Sequence, residues 1–397
     1  MVLCSPILVH SPTGPTMTRK RDVVHRRAAW NVAFADAEIL RLTHGVPDRD
    51  HVLVYYPSLT TNPYQSLLYS RAIQSGYFPV AAPDLSSLRA LVHGKRVILH
   101  IHWLSEVFRE AKDEHNASLR LEEFQVLIDE LLAKGVRILW TVHNILPHDS
   151  RFKQHEIKLR QFLVDRVAAI HVMNKQTRLL AEAAYNIPND KTFHVPHPSY
   201  EGWYPNVDNR AVSRLALGVR PTSRVFLCFG SIQPYKGLEY VVRAFKKAFR
   251  ITDDVVLIIA GFAPDKIFLS KLLQEAAFDG RILIEPARVA EYYVQNYFNA
   301  ADFAVAANLD LLNSGVIALA STFRVPVIAR ASSGDGAIPG GLGIGVPEIS
   351  VDHLQYAFKQ ACSTHREQYD FSRLGRALKP EKMSKMFFEK LSRLIGG

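Results

Sequence analysis

Three cysteines in 397 residues, at positions 4, 228 and 362, share no spacing that suits a disulfide framework or a thiolate metal site. They read as structural. No apolar run approaches the length of a bilayer span, and in MVLCSPILVHSPTGPTMTRKR the apolar residues precede the basic ones, the wrong order for a secretory signal. These absences predict a cytoplasmic protein. Zinc spacing and aromatic RNA-binding motifs are also missing, and the basic residues are spread over predicted helices, which weakens a nucleic-acid reading.

Hydrophobic residues make up 48% and charged residues 22%, a globular balance, and the length predicts two domains rather than one. The formal net charge of +10 calls for an anionic partner: nucleotide, phospholipid surface or nucleic acid. Part of that excess lies in Arg19-Lys20-Arg21 and His25-Arg26-Arg27, either a solvated leader over 1–27 or a contact with an anionic membrane surface. Met17 is an alternative start.

The stretch RVFLCFGSIQPYKGLEYVVRAFKKAF, from Arg224 to Phe249, reads as a buried strand, a glycine-bounded loop carrying Lys236, and an amphipathic helix. Backbone N–H groups at such a helix start attract anions, and a lysine beside them adds a positive charge suited to phosphate. An ordinary turn with a solvated lysine is the other reading. Strand-like and helical runs alternate through both halves of the chain, from HVLVYYP at 51 to PVIAR at 330, which implies right-handed βαβ units in parallel sheets. The polar, proline-bearing EGWYPNVDNRAVSRLALGVRPTS separates them. From Ser350 onward the pattern is helical, and KMSKMFFEKLSRLIGG is a basic amphipathic helix that either packs back on the first domain or lies on a membrane.

Two such domains place a cleft between the carboxyl ends of two sheets. The loops facing it carry Gly230, Ser231, Lys236 and Gly237, the EPARV turn after Ile284, and Asn313-Ser314-Gly315 from the second half. The first half contributes Asn62, Tyr64, His102, Trp103, His143, Asn144 and the segment from His197 to Tyr204. An indole face at Trp103 suits stacking on a sugar, although a core tryptophan has the same sequence signature.

In order and separation, GSIQPYKGLEYVVRAF, IIAG, YFNAADFAVA and SGVIALASTFRVPVIA resemble the donor-binding half of nucleotide-sugar glycosyltransferases of the GT-B fold, close to the retaining family 4. NPYQSLLY, HIHW, WTVHN and HVPHPSYEGWY resemble bacterial members that build polysaccharides. The resemblance implies an α/β GT-B fold of two facing Rossmann-like domains: an acceptor-side domain over 1–205, a donor domain over 206–375, and a helix over 376–397 returning to the first. It implies a sugar moved from a UDP- or GDP-linked donor to a glycan or lipid-linked acceptor in surface polysaccharide synthesis, without an essential metal. The address is the cytoplasm, with the inner face of the membrane as a peripheral contact. Catalytic roles fall on His143 and Lys236. Donor binding falls on Gly230, Ser231, Lys236, Gly237, Glu285, Arg288, Val289, Asn313, Ser314 and Gly315, and acceptor binding on Asn62, Tyr64, His102, Trp103, Asn144 and Tyr200.

One departure stands out. Family 4 relatives carry two glutamates eight positions apart where this chain has Leu311 and Leu319, and an arginine where it has Ser231. Asp310 and Asn313 are the nearby polar substitutes. With the carboxylates gone, three readings stay open: a retaining transferase whose leaving phosphate takes the acceptor proton, an inverting one with His143 or Asp149 as base, and a binding protein that has lost activity.

Overall fold

The computed structural model describes residues 33, 35–43, 50–59, 62–84, 86–90, 96–147, 150–309, 312, 314–331 and 341–395. The predicted basic leader, Met17, Asp149, Asp310, Leu311 and Asn313 lie outside the described residues.

Six strands form the first sheet: β1 (His51–Tyr56), β2 (Tyr77–Ala81), β3 (Val97–Ile101), β4 (Arg137–Val142), β5 (Ala169–Val172) and β6 (Thr192–His194). All pair in parallel, in the order β2-β1-β3-β4-β5-β6. A parallel sheet is covered on both faces, so its strands are apolar throughout rather than alternating. Val52, Val54, Leu99 and Trp140 bury against the helices Glu114–Ala133 and Lys153–Arg166. On the other face Leu53, Ile98, Leu139 and Ala169 meet Met383, Phe387, Phe388 and Leu391 of the C-terminal helix Pro380–Ile395. That helix therefore spends its apolar stripe on the first sheet.

Three elements differ from the periodicity. β2 is an edge strand containing Pro79, which breaks a strand pattern read in one dimension but costs nothing on an outer edge. The long helix starts at Glu114, seven residues before the apolar run, because the Asp113 side chain accepts from the Asn116 N–H and caps it. The helix expected after Asn62 is only Tyr64–Leu68.

The second sheet contains β7 (Arg224–Phe229), β8 (Val255–Ala260), β9 (Ile282–Glu285), β10 (Phe303–Ala306), β11 (Val327–Arg330) and β12 (Gly343–Val346), parallel in the order β12-β11-β10-β7-β8-β9. Leu238, Val241, Val242 and Phe245 of the helix Leu238–Ala248 close one face together with Phe358 of the helix Val351–Cys362. Strand direction of travel reverses between β7 and β10 here, and between β1 and β3 in the first sheet. At such points the connecting loops part and leave a crevice at the carboxyl ends.

At the opposite end of the second sheet, buried Asp302 accepts from Arg214 at 2.9 Å, from Arg210 at 2.5 Å and from the Val225 N–H at 2.8 Å, with Arg224 at 3.2 Å. Removing the carboxylate leaves Arg214, itself buried, without its counter-charge. Asp302→Ala is expected to destabilise the second domain by about 3–5 kcal/mol, read as a lower unfolding midpoint in a thermal melt. An unchanged midpoint contradicts this role.

Candidate active site

The loop after β7 is built by glycines. Gly230 and Gly237 have φ of +104° and +63°, and a Cβ on Gly237 would stand 2.4 Å from the Ala307 carbonyl oxygen. Only a residue without a side chain lets this loop press against the end of β10. Lys236, in the short 3-10 turn Pro234–Lys236, reaches back so that its Nζ lies 3.3 Å from where a Cβ of Gly230 would be. Gly230, Ser231, Lys236, Asn308 and Val316 line one cavity there. Burial lowers the Lys236 ammonium from its usual value, and among the described residues only Cys228 opposes that shift. An anion placed here meets a cation that the protein itself leaves under-compensated.

Facing it, the helix Gly315–Thr322 begins with Ser314, whose hydroxyl accepts from the Ile317 N–H. The Tyr200 hydroxyl lies 3.1 Å from where a Cβ of Gly315 would be, and the Tyr200 N–H donates to Thr322 Oγ1 at 2.8 Å. Tyr200 is buried in a second-domain cluster, so its ring is packing rather than open surface. From it, rings continue across the cleft: Tyr200 to His197 at 5.4 Å, His197 to Tyr64 at 4.9 Å, and Tyr64 edge-on to His143 at 5.1 Å. Asn174 Nδ2 also donates to the Leu312 carbonyl across the same boundary, at 3.0 Å. The two switch points therefore form one neighbourhood.

On the first-domain side His143 is half-buried and stacks on Trp103 with centroids 4.2 Å apart and planes at 21°. His102, Trp103, His143, Asn144 and Arg160 line a shared pocket. Asn62 accepts from the Tyr64 N–H just ahead of the short helix, so its side chain is engaged in the turn. Glu285 and Arg288 are exposed and Val289 is half-buried; Glu285 accepts from the Tyr297 hydroxyl. Leu319 packs in a buried cluster of the second domain, so no carboxylate projects from that position.

Two groups were not anticipated. Gln65 holds the loop after β1, donating to Pro57 O at 2.8 Å and accepting from the Leu59 N–H at 3.1 Å. Behind His143 runs a buried polar chain. His143 Nε2 meets His102 Nδ1 at 3.1 Å, and Tyr69 Oη bridges His102 Nε2 at 2.6 Å and His100 Nδ1 at 2.7 Å. Thr141 Oγ1 then bridges His100 Nε2 at 2.7 Å and His171 Nδ1 at 3.0 Å, and His171 Nε2 ends on the Val195 carbonyl at 2.9 Å. The H-x-H of VILHIHW, two residues on one strand face, was its only sequence signal.

Burial pushes His100, His102 and His143 well below the ordinary imidazole value and His171 down to about 3. Unfolded histidines take up protons as pH falls through about 6.5, and these do not, so acid favours the unfolded chain. Each fully buried one removes about 1.4 kcal/mol per pH unit over that window. Thermal midpoints are expected to fall steeply from about pH 6 to about pH 4.5, and less steeply in His171→Asn. A flat dependence contradicts the buried neutral chain.

Residues 223–363 match the model of the family Glycosyl transferases group 1. The chain is 25% identical over 293 residues, 73% of its length, to a GDP-mannose:glycolipid 4-beta-D-mannosyltransferase of Xanthomonas campestris pv. campestris, covering 75% of that protein. Among solved structures it is similar to a sucrose-phosphate synthase of Thermosynechococcus elongatus, with a TM-score of 0.66, 14% identity and coverage of 88% of this chain and 100% of that one. It is also similar to Anabaena Alr3699/HepE in complex with UDP and glucose, with a TM-score of 0.62, 11% identity and coverage of 87% and 100%. Such low identities carry the fold alone. The chain is a glycosyltransferase of the GT-B fold, similar to family 4, and its residues 223–363 are similar to the group 1 family.

Proposed function

We propose that this enzyme transfers a sugar from a nucleotide-diphosphate donor to a lipid-linked glycan at the inner face of a bacterial membrane, in surface polysaccharide synthesis. The observation that carries the donor half is Lys236, half-buried beside the glycine-built end of β7 and sharing a cavity with Val316 at the start of the helix Gly315–Thr322. Glycosyl transfer builds negative charge on the departing diphosphate, and a fixed cation with backbone N–H groups stabilises that charge without reorganising. Among the described residues no group of three or more His, Cys, Asp or Glu is placed to hold a metal, and we expect turnover to persist in excess EDTA.

GDP-mannose is the first donor to test, since the Xanthomonas relative is named for it and spans most of both chains; the solved UDP complexes are far more distant. The same relative favours a glycolipid acceptor. No helix among the described residues is long and apolar enough to cross a membrane. Net charge of +10 and exposed Lys382, Lys385 and Arg393 on the outer side of the C-terminal helix favour a peripheral contact with anionic lipid.

Stereochemistry divides the reading. The family 4 resemblance favours retention, with the leaving phosphate as proton acceptor. Leu319 in place of a carboxylate, and a neutral imidazole at His143, favour inversion with a base from the first domain. Of the two we favour inversion.

Incubation with GDP-mannose, UDP-sugars and other nucleotide sugars, with a membrane glycolipid extract as acceptor, is expected to give one labelled glycolipid. Lys236→Ala should lower kcat/KM by about 100-fold or more. Comparing the anomeric configuration of product and donor separates inversion from retention. Turnover with no nucleotide sugar, or an undiminished Lys236→Ala enzyme, contradicts the donor assignment.

A further inference from the structure

Tyr200 is only 7% exposed, yet its hydroxyl has no hydrogen-bond partner among the described residues. A polar group taken out of water without a partner is costly unless something else meets it. Its surroundings show what that is. The Tyr200 N–H donates to Thr322 Oγ1 at 2.8 Å, in the last turn of the helix Gly315–Thr322. Its hydroxyl lies 3.1 Å from where a Cβ of Gly315 would be, in the first turn. The side chain therefore runs along this helix from its end to its start. The ring is held by Leu319 and Ala318 in the same buried cluster and by Tyr204, with centroids 5.7 Å apart.

At the helix start, Ser314 occupies two of the backbone donors: its Oγ accepts from the Ile317 N–H and its carbonyl from the Ala318 N–H at 3.2 Å. The Gly315 and Val316 N–H groups have no partner among the described residues. A Cβ on Gly315 would meet nothing within 4 Å except the Tyr200 hydroxyl, so the space beside the first turn is bounded there by that group alone. Val316, one residue on, lines the cavity of Lys236.

We propose that Tyr200 is a donor-binding residue, whose hydroxyl donates to an oxygen of the donor diphosphate held at the start of the helix Gly315–Thr322 together with the Lys236 ammonium. The inference rests on the donor site of the proposed function, and it moves Tyr200 from the acceptor role implied by the resemblance to the donor. Burial pushes the phenol well above its ordinary pKa, so it keeps its hydrogen and acts as a donor at neutral pH. Hydroxyl, free N–H groups and the positive end of the helix all offer hydrogens or positive charge. Leu319 adds no carboxylate to them. Such a set suits an oxyanion better than a sugar hydroxyl, which brings a hydrogen of its own. Because Tyr200 is tied to both ends of one helix, its contact with the donor is built into the second domain, although the residue precedes the second sheet in the chain.

The test is Tyr200→Phe in the full-length enzyme, which keeps the packed ring and removes only the hydroxyl. Calorimetric titration with GDP and with UDP is expected to show the bound diphosphate weakened by about tenfold. Donor KM should rise in step, while acceptor KM, measured with the membrane glycolipid extract, stays within about twofold and the thermal midpoint does not fall. An unchanged diphosphate affinity in the folded variant overturns the proposal, and a raised acceptor KM in its place returns the hydroxyl to the acceptor. A crystal structure of the wild-type enzyme with its diphosphate is the second measurement, and a phosphate oxygen is expected about 2.5–3.0 Å from Tyr200 Oη. A bound diphosphate with every oxygen beyond hydrogen-bond distance overturns the proposal even if Tyr200→Phe does not fold. Affinity lost in Lys236→Ala but kept in Tyr200→Phe refutes this inference alone and leaves the donor site standing. A wild-type enzyme that binds neither diphosphate refutes the donor site, and the role of Tyr200 falls with it.

Discussion

Parallel strands whose connections run outward in both directions leave a gap where the direction reverses, and this constraint occurs twice in the chain. The gap between β1 and β3 receives Tyr64 and His102; the gap between β7 and β10 receives the loops of Lys236 and of Ser314. The ring series from Tyr200 to His143 joins the two. Topology delivers the loops there. Glycine at 237 then allows a contact closer than any side chain permits.

The two halves solve opposite electrostatic problems. Around Lys236 burial opposes the ammonium charge, and an anion placed there would favour it. Around His143 it keeps an imidazole neutral by burying it among other neutral imidazoles. A charge for the leaving group is one need of displacement at an anomeric carbon, and Lys236 is the group we propose for it.

Much of this was legible in the residues. VILHIHW, ILWTV and VFLCF are strands because apolar runs of that length, bounded by turns, fit only a sheet buried on both faces, and the Lys236-Gly237 loop announced itself between one such strand and an amphipathic helix. β2 was hidden by Pro79, and β12 by the glycines of GLGIGV, where Gly343 packs against Val327 and has no room for a side chain. Tyr200, which the resemblance assigns to acceptor binding, is buried against the second domain. The histidine chain was invisible for a different reason. Its members sit on β3, β4 and β5 and in the short helix region near Tyr69, and only cross-strand register brings them within hydrogen-bond distance. Periodicity reports which face a residue takes and is silent on what lies beside it.

The central claim is that Lys236 holds the donor diphosphate while His143 acts on the acceptor side. Titration calorimetry with GDP and with UDP on wild type, Lys236→Ala and His143→Ala tests it most directly. The account predicts that one of the two diphosphates binds, that Lys236→Ala weakens it about tenfold or more, or about 1.4 kcal/mol, and that His143→Ala binds it within about twofold of wild type while losing transfer. Binding unchanged in Lys236→Ala, or lost in His143→Ala, would contradict that division of labour between the two domains.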